Sequence, residues 1–234
     1  MIRQTKGRIF LADERGLNET EWFRSQHTFN FGKYQNGNKH PLGKIYLLND
    51  DMLAGDRSVN MFVEEDSYAI FLPLAGAINC KMENVNETLI AAGQILVHSI
   101  NSCEKFEIKN PFKEDTVNYL QIWLRPGKNK IDTGALTFED VNKKMNQLVK
   151  ISPGNFLSED LDFSISIGKF SGRGETVYKP TSGNGCFLFI LEGAFEAEGR
   201  LLHERDGLAL WDTDEIEIEA LSNDAIMLLI ETTL

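Results

Sequence analysis

Leu74-Ala75-Gly76-Ala77, then Gly93-Gln94-Ile95-Leu96, then Lys105-Phe106-Glu107-Ile108 form a series that the chain writes twice. The second copy reads Leu191-Glu192-Gly193-Ala194, Asp206-Gly207-Leu208-Ala209 and Glu215-Ile216-Glu217-Ile218. In each copy an apolar run closes at a glycine turn, another strand follows, and an alternating strand comes after a loop. A repeat of that order predicts two similar β-barrels rather than one large sandwich. The histidines are His27, His40, His98 and His203, and no two of them stand close together in either copy.

Outward from the repeat, most segments read as short strands between turn signals. Thr28 to Phe31 alternates and ends at Gly32, and Lys44 to Leu48 follows Pro41 and Gly43. Tyr68 to Leu74 and Cys186 to Leu191 are continuous apolar runs, the pattern of strands covered on both faces. Pro73 removes one ladder donor from the first of these, so an edge or a bulge is expected there. Val117 to Leu124 alternates and stops at Pro126-Gly127; Phe163 to Ile167 opens the second unit with period two. Ser182-Gly183-Asn184-Gly185 is a hairpin signal, and Ala225 to Ile230 reads as a last buried strand. Between the units the period changes. Phe138, Val141, Met145, Leu148 and Val149 fall on one helical face, with Thr137 and Asp140 as a capping box and Ser152-Pro153-Gly154 as the stop. The expected architecture is all-β: two barrels, residues 1–131 and 158–234, joined by a linker over 132–157 carrying one α-helix.

Composition narrows the function. The chain has 234 residues, 42% hydrophobic and 25% charged, and a formal charge of −11. An acidic field repels the phosphate backbone, so nucleic acid is not the expected partner. No apolar stretch approaches the roughly 18 residues of a spanning helix, and Met1 to Arg8 lacks the apolar region of a signal peptide. A cytoplasmic protein without membrane attachment is expected. Cys80, Cys103 and Cys186 are odd in number and widely spaced, which reads as free thiols of a reducing compartment.

Metal chemistry on a strand favours ligands at i and i+2, where both side chains face one way. No histidine pair has that spacing. His98 reads as a single polar side chain on a strand, and His203 as a turn residue. Glu64-Glu65-Asp66 reads as a solvated turn, with Glu64 as a candidate base if it faces an apolar pocket. No Gly-x-Ser-x-Gly elbow is present, and the Gly172 and Gly183 turns precede no helix that could cradle phosphate. Phe29, Phe31, Tyr34, Phe62, Tyr68 and Phe106 could line a cavity or simply form core.

Several of these stretches carry a family resemblance. Leu11-Ala12-Asp13-Glu14-Arg15-Gly16, Thr28-Phe29-Asn30-Phe31-Gly32-Lys33-Tyr34, Leu42 to Asp50, Leu74 to Ala77 and Leu120 to Pro126 resemble successive landmarks of the pirin family, in order. From Phe163 onward the chain is similar to the second cupin of that family's bacterial quercetinase-like branch. The resemblance implies a bicupin whose typical members hold one metal in the N-terminal barrel, by a His-x-His pair, a third His and a Glu. Some members oxidise flavonols such as quercetin; the eukaryotic ones act as iron-dependent transcriptional cofactors. Counted back from Leu74, the His-x-His positions fall on Phe62 and Glu64. Counted forward from Gly93, the later His and Glu fall near Phe106 and Ile108, and a small slip would bring in Glu104 or Glu107.

The expectation is therefore a metal-free, cofactor-free bicupin whose first barrel is filled by phenyl rings. A small apolar or aromatic ligand, bound around Phe62, Glu64, His98, Glu104 and Phe106, or a protein partner would be its business. Two rival readings are a quercetin dioxygenase rebuilt on Glu64, Glu104 and His98, and a purely structural or regulatory module.

Overall fold

The computed structural model describes residues 5–83, 86–127, 134–138, 140–151 and 162–234. Among them the strands form four antiparallel sheets, two to a barrel. In the first barrel, Gly134–Thr137, Gln94–Ile100, Ser67–Ala75, Val117–Leu124, Ile45–Leu53, Phe23–His27 and Gly16–Glu19 lie side by side in that order. Ser58–Phe62, Lys105–Lys109, Ala77–Met82 and Thr88–Ala91 make its smaller sheet. The second barrel repeats the plan. Its large sheet runs Lys6–Phe10, Gly207–Trp211, Asn184–Glu192, Ala225–Thr233, Phe163–Phe170 and Val149–Lys150. Its small sheet holds Glu175–Tyr178, Ile216–Ala220, Phe195–Ala197 and Arg200–Leu202.

The continuous apolar runs are explained by where the two large sheets sit. They pack against each other, so their strands bury both faces. Leu48, Ile70, Leu72, Leu120 and Ile122 meet Ile165, Phe187, Phe189, Leu228 and Ile230 in one core between the barrels. Side chains of the opposite parity fill the barrel interiors: Leu47, Phe71, Tyr119 and Trp123 in the first, Leu188, Leu210, Met227 and Leu229 in the second. The repeated glycines Gly76 and Gly193 both take positive φ, +79° and +78°, a conformation open to residues without a Cβ. Pro73 sits beside a register shift, where Asn118 faces Ala75 and Tyr119 faces Pro73. The bulge absorbs its missing donor, as expected.

The chain's first strand joins the second barrel. Lys6–Phe10 pairs with Gly207–Trp211 of the second barrel, and the Phe10, Phe29 and Phe187 rings meet at centroid distances of 5.2 to 5.4 Å. Gly134–Thr137, beyond residue 131, still belongs to the first barrel's sheet.

Three sequence expectations are corrected. The α-helix is not present among the described residues. Thr137 ends a strand instead of capping a helix, Val141–Lys143 is a single 3-10 turn, and Val149–Lys150 pairs with Phe163–Phe170. The apolar stripe was too short to carry a helix alone, and its asparagines found better partners. Asn146 takes φ +59° and its Oδ1 accepts from the Ser171 N–H at 2.9 Å, which ties the chain to the sheet edge. The stop at 152–154 lies outside the described residues. The strand assigned to Thr28–Phe31 lies earlier, at Phe23–His27, because pairing with Ile45–Leu53 is fixed by residues 23 to 27. The Gly183 turn joins strands of two different sheets and is not a hairpin.

Candidate functional site

Three adjacent strands of the first barrel place a polar ladder on its inner face. Ser25 stands opposite Asp51, and Asp51 opposite Tyr119; His27 stands opposite Asn49, and Asn49 opposite Gln121. All six are buried. With its amide oriented to suit its neighbours, Gln121 donates to Asp51 Oδ2 at 3.2 Å and accepts from Trp123 Nε1 at 2.9 Å. Burial dominates the electrostatics here. It lifts the Asp51 carboxyl to about 7, opposed by the Ser25 hydroxyl and aided by the neighbouring Asp50 charge. It drops His27 to about 4, so the imidazole is neutral near pH 7. The His27 ring nitrogens, the Asn49 amide and Asp51 Oδ1 make no hydrogen bond to a described residue.

The opposite wall is apolar. Phe106 pairs with Met61 across the small sheet and packs its ring on Phe71 and Trp123, at 5.6 and 6.1 Å. Val63 and Ile108 are fully buried in the same core. Phe62 and Glu64, one position out of phase, turn outward: Phe62 is 55% exposed and Glu64 is exposed. Of the two phenyl rings expected to fill this barrel, Phe106 does so and Phe62 stands at the mouth. His98 is buried beside Ala69; burial lowers its pKa, with Glu104 pulling the other way. Glu104 itself closes a turn, accepting from the Asn101 N–H and side-chain amide at 3.1 and 3.0 Å.

The metal implied by the resemblance can be tested against this donor set. The inward positions of the two facing segments carry Met61, Val63, Phe106 and Ile108. Among the described residues no three His, Cys, Asp or Glu side chains are grouped to hold a metal ion. An imidazole-rich site needs three or four converging N, O or S ligands, and the residues here do not fit one.

Above Trp123 the barrel opens into a pocket of about 660 Å³. Phe31 and Tyr46 stand edge-on to the Trp123 ring at 5.8 and 6.0 Å, and Phe62, Glu64 and Arg125 complete its rim. The Arg125 guanidinium lies 5.0 Å from the Tyr46 ring centre and pairs with Glu65 at 3.1 Å. Tyr46, hydrogen-bonded to Ser67, is pushed up to about 12 by burial.

Of the five predicted ligand residues, only Phe62 and Glu64 line this pocket; Phe106 and His98 lie inside the barrel and Glu104 in a turn. Among the other predicted cavity aromatics only Phe31 lines it, while Phe29 and Tyr68 belong to the inter-barrel core. Sequence reasoning missed Tyr46, Trp123 and Arg125, and the polar ladder as well. Polar residues at 49 and 51, and at 119 and 121, do alternate, but the sequence alone does not say which face is inward.

Residues 159–232 match the family model described as the quercetinase C-terminal cupin domain. A protein of Escherichia coli K12 named quercetin 2,3-dioxygenase is 23% identical over 219 residues, covering 93% of this chain and 95% of that one. A pirin-like protein of Caulobacter vibrioides is 25% identical over 225 residues, covering 92% and 95%. The crystal structure of YhhW from Escherichia coli superposes with a TM-score of 0.85 at 21% identity, over 97% of each chain. A second structure, of bacterial pirin YhhW in complex with nickel(II), gives 0.82 at 20% identity, over 98% and 100%. The shared feature is the pair of barrels. No described helix is long and apolar enough to cross a membrane.

Proposed function

We propose that this chain, which belongs to the pirin family of two-barrel cupins, binds a small organic molecule in the ring-lined pocket of its first barrel and does no metal-dependent oxidation there. One observation carries the reading: the wall that would have to supply metal ligands presents Met61, Val63, Phe106 and Ile108, while the mouth above it keeps an open aromatic pocket. Apolar rings with a few polar groups at the rim are the ordinary make-up of a small-molecule site.

The test has two arms. Protein purified without chelator is expected to hold far less than one transition metal per chain by elemental analysis. Tryptophan fluorescence should respond to small aromatic compounds, because Trp123 lines the pocket. One tightly held iron, copper or nickel per chain would overturn the first half; indifference to every ligand would overturn the second and favour a structural or regulatory module acting on a protein partner.

A second reading is favoured by the relatives named quercetin 2,3-dioxygenase. It makes this chain a flavonol oxidase. Oxygen uptake with quercetin decides it: a sustained rate above that of heat-denatured protein would establish oxidation.

A further inference from the structure

Taking the pocket above Trp123 as the ligand site, we infer that it selects organic cations, an alkylated ammonium or a guanidinium carried on an apolar body. Phe31, Tyr46, Phe62 and Trp123 surround it, and the faces of aromatic rings carry negative potential that attracts cations. The chain already makes such a contact in the same place. The Arg125 guanidinium rests over Tyr46 at 5.0 Å and is closed off by Glu65, at 3.1 Å from Nη2 and 3.4 Å from Nε. A cation held between a ring face and a carboxylate is thus built into the pocket wall.

The rim has room for another. Glu64 lines the pocket beside Glu65, and no ion pair joins it to a cation among the described residues. Among the described residues Arg125 is the single basic residue of the lining, so two carboxylates face one guanidinium and the described lining carries a net −1. The chain's charge of −11 adds to the same potential. An anionic ligand would be repelled by Glu64, and the guanidinium that could attract it, Arg125, is already paired with Glu65. A neutral ligand would gain only burial. Cation–π attraction in a partly desolvated site is worth about a factor of ten in affinity.

Three probes separate the outcomes: phenyltrimethylammonium, its neutral isostere tert-butylbenzene, and 4-tert-butylbenzoate, which adds a carboxylate to the same hydrocarbon body, each titrated at sub-millimolar concentration by tryptophan fluorescence. The cation is expected to bind about tenfold more tightly than the hydrocarbon, with the benzoate weakest. Glu64→Gln should weaken the cation several-fold and leave the hydrocarbon unchanged, whereas Phe62→Ala, at an exposed position, should weaken both. Hydrocarbon or benzoate binding at least as tightly as the cation would overturn the selectivity and leave the pocket a ligand site. A cation preference indifferent to Glu64→Gln would overturn it too. If none of the three binds, the pocket's role as a ligand site falls along with it.

Discussion

Asp51→Asn should make the protein more stable at pH 8 and leave it nearly unchanged at pH 4. Asp51 is fully buried in the first barrel, and burial lifts its carboxyl from 3.8 to about 7. The folded state therefore holds this proton more tightly than the unfolded chain. Stability is whole below pH 4 and drains away as pH rises to 7, because the ionised form must be kept out of water. At about 1.4 kcal/mol for each tenfold in proton affinity, the full cost is roughly 4 kcal/mol. His27 works the other way. Its pKa falls from 6.5 to about 4, so its contribution is present above 6.5 and lost as pH falls through 4, roughly 3 kcal/mol in all. Over pH 4 to 6.5 the two nearly cancel, and wild-type stability should be flat there. Removing the carboxylate unmasks His27: the variant should gain stability steadily from pH 4 to 6.5 and then hold it. The amide oxygen that this substitution introduces can still accept from Gln121, so the ladder keeps its packing. Urea unfolding followed by tryptophan fluorescence between pH 4 and 8.5 measures both curves. Parallel curves for variant and wild type would refute the reasoning, since Asp51 would then carry no pH-dependent cost.

Phe106→Ala should destabilise by about 3–5 kcal/mol through the cavity left between Phe71 and Trp123, while Phe62→Ala, half exposed, should cost under about 1 kcal/mol; thermal melts of both variants check the contrast. Gly43→Ala should cost roughly 2 kcal/mol or more by the same measurement, because Gly43 has φ +53° and an added Cβ would strike the Thr233 carbonyl oxygen of the other barrel. Overnight treatment with EDTA should leave the melting temperature unchanged within about 1 °C, and a drop of several degrees would reveal a metal that stabilises the folded chain.

The barrels were legible because their signals are local. Glycine turns at Gly76 and Gly193, alternation in Val117–Leu124, and the unbroken apolar run from Cys186 each reported a constraint met within a few residues. The linker was not legible for the opposite reason. Phe138, Val141 and Leu148 do pack against apolar cores, so the stripe was real. A 3.6-residue period, however, records which residues are buried and not the backbone path that buries them. Asn146 and the edge of Phe163–Phe170 decided that path, and they meet only in the folded chain. Phe62 teaches the same lesson at the site. Counting from a landmark fixes a position to within a residue, yet in a strand one residue reverses the side chain's direction. Phe62 and Glu64 went to the mouth, and Met61 and Val63 went inside.

That reversal keeps Met61, Val63, Phe106 and Ile108 on the inner wall and changes the shape of the mouth above them. Had Phe62 turned inward beside Phe106, two rings would have closed the interior and left nothing to bind. Because it turned outward, Phe106 alone packs the floor against Trp123, and Phe62 becomes part of a ring-lined opening with carboxylates at its edge. The polar ladder behind Trp123 fits this division of labour. Gln121 ties the indole Nε1 to Asp51, holding the pocket floor from behind by hydrogen bonds that an apolar filling could not supply. The buried acid thus has a structural use that offsets part of its cost. Gln121→Leu separates that use from simple packing: with similar volume but no amide it should loosen the indole and shift the Trp123 fluorescence to the red. An unshifted spectrum would mean that Phe31, Tyr46 and Phe106 position the ring unaided.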